Sequence, residues 1–192
     1  MKEPLLYIIV RPIITFLFKI VYQPTIIGKE NIPKKGRVVI AGNHTNNLDC
    51  ILLISSTKRI IHFLAKDSLY KGIKKPIFAG MGIIPVNRSI HDKGALNKAI
   101  ESLNKDKTIG IFPEGTINRT EDTIMPFKIG CVKMAKETNS KVVPFVITGE
   151  YKMFKKGITI EFFKPISIED EILDNENEKL MKKIKTELEK RR

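Results

Sequence analysis

The run Asn43-His44-Thr45-Asn46-Asn47-Leu48-Asp49 sets an imidazole and a carboxylate five residues apart. In a regular helix that separation turns through about 140°, so the two side chains would not share a face. Only a loop lets them meet. Asn and Thr favour such a turn, and an aspartate at its end can accept the imidazole N–H, fixing the tautomer and raising the basicity of the other nitrogen. A pair built this way can deprotonate a hydroxyl. The same residues admit a plainer reading, a solvated loop histidine beside an aspartate that caps a helix, and on these two residues alone that reading is preferred. Metal ligation is disfavoured, because the three histidines stand apart at 44, 62 and 91 and form no ligand cluster.

Three further strand-to-loop junctions carry useful groups. Gly82-Ile83-Ile84-Pro85-Val86-Asn87-Arg88-Ser89 reads as a strand ending in a guanidinium and a hydroxyl. Arg88 can fork onto a phosphate, although a lone strand-terminal Arg is more often a surface charge. Gly110-Ile111-Phe112-Pro113-Glu114-Gly115-Thr116 runs from a buried strand into a turn. There Gly115 permits close backbone approach with exposed N–H groups, and Glu114 is placed to hold an acceptor or a neighbouring loop. Taken alone, it is simply a turn. In Val142-Val143-Pro144-Phe145-Val146-Ile147 a proline interrupts a strand pattern, which requires an edge, a bulge or a break.

Taken in order, these four runs resemble the glycerolipid acyltransferase family. Its members show a histidine, four residues and an aspartate; a strand ending in Arg; Phe-Pro-Glu-Gly-Thr; and an apolar strand with Pro. The resemblance spans residues 36–165 and includes Pro126-Phe127-Lys128-Ile129-Gly130. It implies transfer of a fatty acyl group from an acyl thioester, acyl-carrier protein or coenzyme A, to the sn-2 hydroxyl of 1-acylglycerol 3-phosphate, giving phosphatidic acid. No cofactor beyond that co-substrate is implied. His44 is then the base, Asp49 its orienting partner, and the hydroxyl attacks the thioester directly. Arg88, Glu114, Gly115 and Thr116 are assigned to the acceptor site, with Arg119 and Lys128 as further phosphate contacts and Lys66 beside backbone N–H groups at the oxyanion. Two positions depart from the family. Ile117 follows Glu-Gly-Thr where many members carry Arg, and Asn87 stands where an acidic residue commonly precedes the motif arginine. Another lysophospholipid or polar lipid acceptor is therefore the alternative within the same chemistry.

The elements that must position these residues follow from periodicity. Short β-branched runs at 37–41, 60–65, 82–86, 108–112, 141–148 and 157–163 read as strands, and 50–57, 92–104, 127–138 and 168–190 read as helices. The alternation predicts an α/β layered domain over residues 24–192, with a mostly parallel or mixed central sheet flanked by helices and functional residues at strand ends. Residues 1–23 form a separate apolar segment. Helical spacing puts Tyr7, Arg11, Thr15, Lys19 and Tyr22 in one polar stripe against a wide face of Leu, Ile, Val and Phe, which predicts an interfacial membrane anchor over an ordinary core-packed helix. Arg11, Pro12 and Lys19 argue against a spanning helix, and Pro12 is expected to kink or split it. The absence of a small-residue cleavage site argues against a removable signal peptide.

The net charge of +13 calls for an anionic partner, and no acidic residue falls between Glu3 and Glu30. That suits an anionic membrane surface, at the cytoplasmic face of the cell membrane as a peripheral or monotopic protein. Nucleic acid is disfavoured, since aromatics are only 7% and Trp is absent. The two cysteines, Cys50 and Cys131, sit in apolar stretches and read as buried thiols rather than a disulfide. A non-catalytic membrane-binding protein is the competing class; it leaves the histidine and Phe-Pro-Glu-Gly-Thr loops unexplained.

Overall fold

A computed structural model of the protein describes residues 4–69, 74–87 and 92–191. Its strands are β1 Thr25–Ile27, β2 Val38–Gly42, β3 Ile61–Lys66, β4 Ile84–Val86, β5 Thr108–Ile111, β6 Lys141–Gly149 and β7 Ile158–Phe162. Its helices are α1 Leu5–Tyr22, α2 Asp49–Ser56, α3 Lys74–Gly80, α4 Lys93–Asn104, α5 Gly130–Glu137 and α6 Leu173–Glu189. The strands form one sheet in the order β1-β7-β6-β2-β5-β3-β4. The strands β2 to β6 run parallel. The sheet is mixed because β7 returns antiparallel to β6 and β1 then pairs parallel with β7.

The β2 segment Val38-Val39-Ile40-Ala41 is apolar at every position and fully buried, as a strand covered on both faces must be. Val38 and Ile40 face one core, closed by Tyr7 and Phe18 of α1 and Leu52 and Leu53 of α2. Val39 and Ala41 face the other, closed by Leu103 of α4, Met134 of α5, and Leu180 and Ile184 of α6. The result is three layers, helix on sheet on helix, with both helical faces contributed as the sequence periodicity requires.

Four features refine the sequence reading. The short strand β1 and the helix α3 carry too few periodic positions to be recognised, and α3 has Pro76 in its first turn, where a missing N–H costs little. The helical patterns at 127–138 and 168–190 contract to α5 and α6. Helix α1 runs from Leu5 to Tyr22 without splitting at Pro12, because Tyr7 and Phe18, buried on either side of the proline, hold both halves to one body. Finally, Pro144 lies neither at an edge nor at a break but on interior β6, which runs on through it, and the extra residue falls on the facing strand at 163–165. The pairing shifts by one residue between Phe145 with Phe162 and the bridge of Val142 with Ile166. The ring sits at that shift, where a ladder donor is already lost, and its carbonyl still accepts from Phe163 N at 2.9 Å.

Candidate active site

The carboxyl ends of β2, β3, β4 and β5 open on one sheet edge, and His44 leaves β2 there. Gly42 is required at the exit: a Cβ on it would lie 2.5 Å from the Phe145 ring and from the Phe145 carbonyl oxygen. Asn43, buried, then ties the chain to β6 in both directions, donating to Ile147 O at 2.9 Å and accepting from Ile147 N at 2.7 Å. The backbone of His44 is held on both sides as well. Its N–H donates to Glu114 Oε1 at 2.8 Å, and its carbonyl accepts from Asn118 N at 2.8 Å.

Asp49 begins α2 and is 0% exposed. A buried carboxylate is tolerable only when donors surround it. Here Thr45 N and Asn46 N donate to Oδ2 at 2.6 and 2.8 Å, Tyr151 Oη donates to Oδ1 at 2.6 Å, and His44 Nδ1 lies 2.9 Å from Oδ2. Asp49 can only accept in this setting, so Nδ1 carries the hydrogen and Nε2 keeps its lone pair. The imidazole is stacked on Phe112, with centroids 4.1 Å apart and planes at 14°, and Phe112 is itself braced edge-on by Phe145. The His44 side chain keeps 12% of its exposure, enough for its free edge to meet a substrate. Orientation, tautomer and one ring face are thereby fixed, and Nε2 is left as the ring nitrogen that can accept a proton.

Glu114 is buried, and its second oxygen accepts from Met125 N at 2.8 Å. Burial pushes its carboxyl above the ordinary range, against the pull of the Met125 and His44 N–H groups. Of its two anticipated roles, this geometry is that of a loop clamp. Gly115 has φ +76°, and a Cβ there would come within 2.8 Å of Lys128 Cε, so the lysine stem lies across the glycine. Thr116, Arg119 and Lys128 are exposed around this turn. Lys66 ends β3 on the same sheet edge, exposed, but two strands from β2, about 10 Å by ordinary sheet spacing. Arg88 lies outside the described residues. Cys131 is buried, its thiol pushed up to about 12, and Cys50 is partly buried on α2.

Three contributors escaped the sequence reading. Asn43 was visible only as a polar residue at a buried strand end, Phe112 only as a motif aromatic, and Tyr151, 102 residues from Asp49, gave no signal at all. A cleft of about 420 Å³ flanks the loop, with mixed walls that include Asn43, Thr45, Asn118, Ile147, Leu188 and Arg191 but not His44.

The family model for acyltransferases matches residues 23–148, which includes the His44 loop, the Glu114 turn and most of β6. The chain belongs to the acyltransferase family. It is 40% identical over 134 residues to a 1-acyl-sn-glycerol-3-phosphate acyltransferase of Borreliella burgdorferi, covering 68% of this chain and 53% of that protein. It is 32% identical over 158 residues to the Saccharomyces cerevisiae enzyme of the same name, covering 76% and 52%. A Bacillus subtilis protein of that name is 32% identical over 139 residues, covering 68% and 66%. The chain thus spans about half the length of the first two of these relatives. The solved structure of the 1-acyl-sn-glycerophosphate (LPA) acyltransferase PlsC from Thermotoga maritima superposes with a TM-score of 0.76 at 22% identity, covering 94% of this chain and 79% of that one, and so shares the acyltransferase's fold.

Proposed function

We propose that this acyltransferase moves a fatty acyl group from an acyl thioester to the sn-2 hydroxyl of 1-acylglycerol 3-phosphate, making phosphatidic acid. The observation that carries the proposal is the dyad, in which a fully buried, four-donor Asp49 fixes His44 with Nε2 as the base. The acceptor is the one for which the relatives are named. The hydroxyl proton passes to Nε2 as the oxygen attacks the thioester carbonyl. When the tetrahedral intermediate collapses, the C–S bond breaks and the imidazolium returns that proton to the departing thiolate. No acyl-enzyme forms, and neither cysteine takes part. The acceptor's phosphate meets the cationic groups Arg88, Arg119 and Lys128 with the Thr116 hydroxyl, while Glu114 and Gly115 shape the turn that leads into Thr116 and Arg119. Lys66 contributes charge at the same sheet edge. The donor is acyl-carrier protein or coenzyme A; both are anionic and suit a chain of net charge +13.

The reaction takes place at an anionic membrane surface, the cytoplasmic face of the cell membrane, with the protein peripheral or monotopic. Support comes from α1, whose orientation is the reverse of an ordinary surface helix. The first half of its polar stripe faces the protein, since Tyr7 Oη accepts from Ile61 N and Arg11 donates to the Thr57 carbonyl, while Lys19 stays exposed. Leu5, Ile9, Ile13, Phe16 and Leu17 face outward, each more than half exposed. The helix is long and apolar enough to cross a bilayer, at a mean hydropathy of 1.9, but its tethers along one side favour lying flat with the outer face in lipid.

A second acceptor, another lysophospholipid or polar lipid, is favoured by Ile117 and Asn87. A product-resolved assay of purified protein, crossing acyl-carrier-protein and coenzyme A donors with acceptors that carry or lack a phosphate monoester, separates the readings. Phosphatidic acid is the expected product. His44→Ala should reduce its formation by about 10²- to 10⁴-fold, the usual worth of a general base. Full activity in that variant overturns the mechanism.

A further inference from the structure

The donors around Asp49 divide into two groups by origin. Thr45 N, Asn46 N and His44 Nδ1 all come from the loop that carries the dyad itself. If that loop shifts, these three shift with the carboxylate and hold nothing in place relative to the sheet. Tyr151 is different. It follows β6 by two residues and reaches Asp49 Oδ1 from another part of the chain, at 2.6 Å. Burial first, and the Asp49 charge next, push its phenol well above the ordinary tyrosine range, so it remains a donor at every working pH.

What holds Tyr151 is α1. Its ring meets Tyr22 at 5.6 Å with planes at 88° and Phe18 at 6.3 Å with planes at 69°, while Phe18 and Tyr22 pack on each other at 5.0 Å. Three residues further on, Phe154 N donates to Val21 O at 2.5 Å, closing the loop after β6 onto the end of the helix. Around these anchors the loop carries Lys152, Met153, Phe154, Lys155 and Lys156. Met153 and Phe154 are 64% and 67% exposed, a basic and apolar tip next to the carboxyl end of α1. One short loop therefore touches the lipid-facing helix on one side and the catalytic carboxylate on the other.

We infer that Tyr151 is a positioning residue that couples the seat of α1 to the orientation of the His44–Asp49 dyad, so that the dyad is fully set only when the helix and the loop after β6 are docked together. The inference rests on the proposed acyl transfer by that dyad. Aromatic contact with Phe18 and Tyr22 fixes where the phenol stands, and the phenol fixes where Asp49, and through it the imidazole, stands. A lipid surface that buries the outer face of α1 and the Met153-Phe154 tip would steady all three rings at once.

The test uses the full chain as wild type, Tyr151→Phe, Tyr22→Leu and the double variant, on vesicles of mixed neutral and anionic phospholipid. Tyr151→Phe keeps the ring packing and loses only the hydroxyl. It should lower kcat about ten- to hundredfold, the range for a lost hydrogen bond to a charged group, with acceptor KM and vesicle sedimentation unchanged. Tyr22→Leu should lower kcat by a smaller factor, and the double variant should be no slower than Tyr151→Phe alone, because both act through one bond. Independently of turnover, the 15N signal of His44 Nδ1, identified by its loss in His44→Ala, should move in both single variants. Unchanged kcat and an unmoved His44 signal in Tyr151→Phe overturn the inference, as do two effects that multiply. If wild type transfers no acyl group to any lysophospholipid while the His44 signal still moves, the reaction assignment has failed and the coupling stands.

Discussion

Glu114 makes the clearest case for how a single residue serves this site without touching the chemistry. Each of its oxygens receives one backbone N–H, from His44 and from Met125. In Glu114→Gln one of those oxygens becomes an NH2 group that faces an amide hydrogen, leaving a buried donor without an acceptor. That costs about 1–3 kcal/mol, which lowers Tm by several degrees in a chain of this size and loosens the backbone that carries His44. The pH dependence has a definite sign. Because folding raises the proton affinity of this carboxyl, its contribution to stability is fully present below the unfolded carboxyl range and is lost as pH rises through the folded value. The gap in Tm between wild type and Glu114→Gln should therefore narrow as pH is raised from about 4 to 7, measured by thermal unfolding at fixed ionic strength. A gap that widens instead contradicts the burial argument. The sequence presented Glu114 as one of two things, an acceptor contact or a loop holder, and only coordinates could choose. His44 and Asp49 were legible from type and spacing once the later loops were set beside them. Tyr151 was not, because nothing local marks a tyrosine whose partner lies 102 residues away.

At the scale of elements, periodicity delivered the strands that carry the site to within a residue or two, since both faces of β2 and most of β6 are buried and must be apolar. It predicted an interfacial helix at α1 but could not say what the polar stripe would meet. A helical period reports that a polar stripe exists, and the usual assumption sends that stripe to water. Here Tyr7 and Arg11 find partners at Ile61 and Thr57, more than forty residues away, and the apolar side is left outside. The consequence is measurable. Phe16→Lys puts a charge in the middle of the outward face, where the ring is 65% exposed. It should leave Tm unchanged, since nothing inside the protein loses a contact, yet weaken sedimentation with phospholipid vesicles by about tenfold or more, as burial of one large apolar side chain is worth about 1.5–3 kcal/mol. Unaltered vesicle binding would mean that α1 is not the lipid contact. Pro144 teaches the complementary lesson. The residue announced a disturbance of the strand, but its lying on an interior strand opposite a bulge rather than at an edge depends on where β7 and Ile166 pair.

For the whole molecule the governing quantity is charge, +13 in 192 residues. On the proposed membrane reading, a basic surface at this density is drawn to an anionic bilayer by attraction that falls off within a Debye length, about 10 Å at 0.1 M salt. Binding to vesicles rich in anionic lipid should thus weaken steeply as salt is raised from about 0.05 to 0.5 M, while binding to neutral vesicles, which rests on the apolar surface of α1 and the Met153-Phe154 tip, should hardly respond. Sedimentation across that series checks both arms, and equal salt dependence on both would remove charge from the account. The outward face of α1 has one more consequence, for the chain when no bilayer is at hand. Apart from Lys19, which is exposed, the polar side chains of the helix are turned to the body, and what it presents to water is an apolar stripe. In lipid-free buffer the molecule hides that stripe only against a detergent or a second copy of itself, so clustering on removal of detergent, reversed by adding it back, is what its own geometry demands.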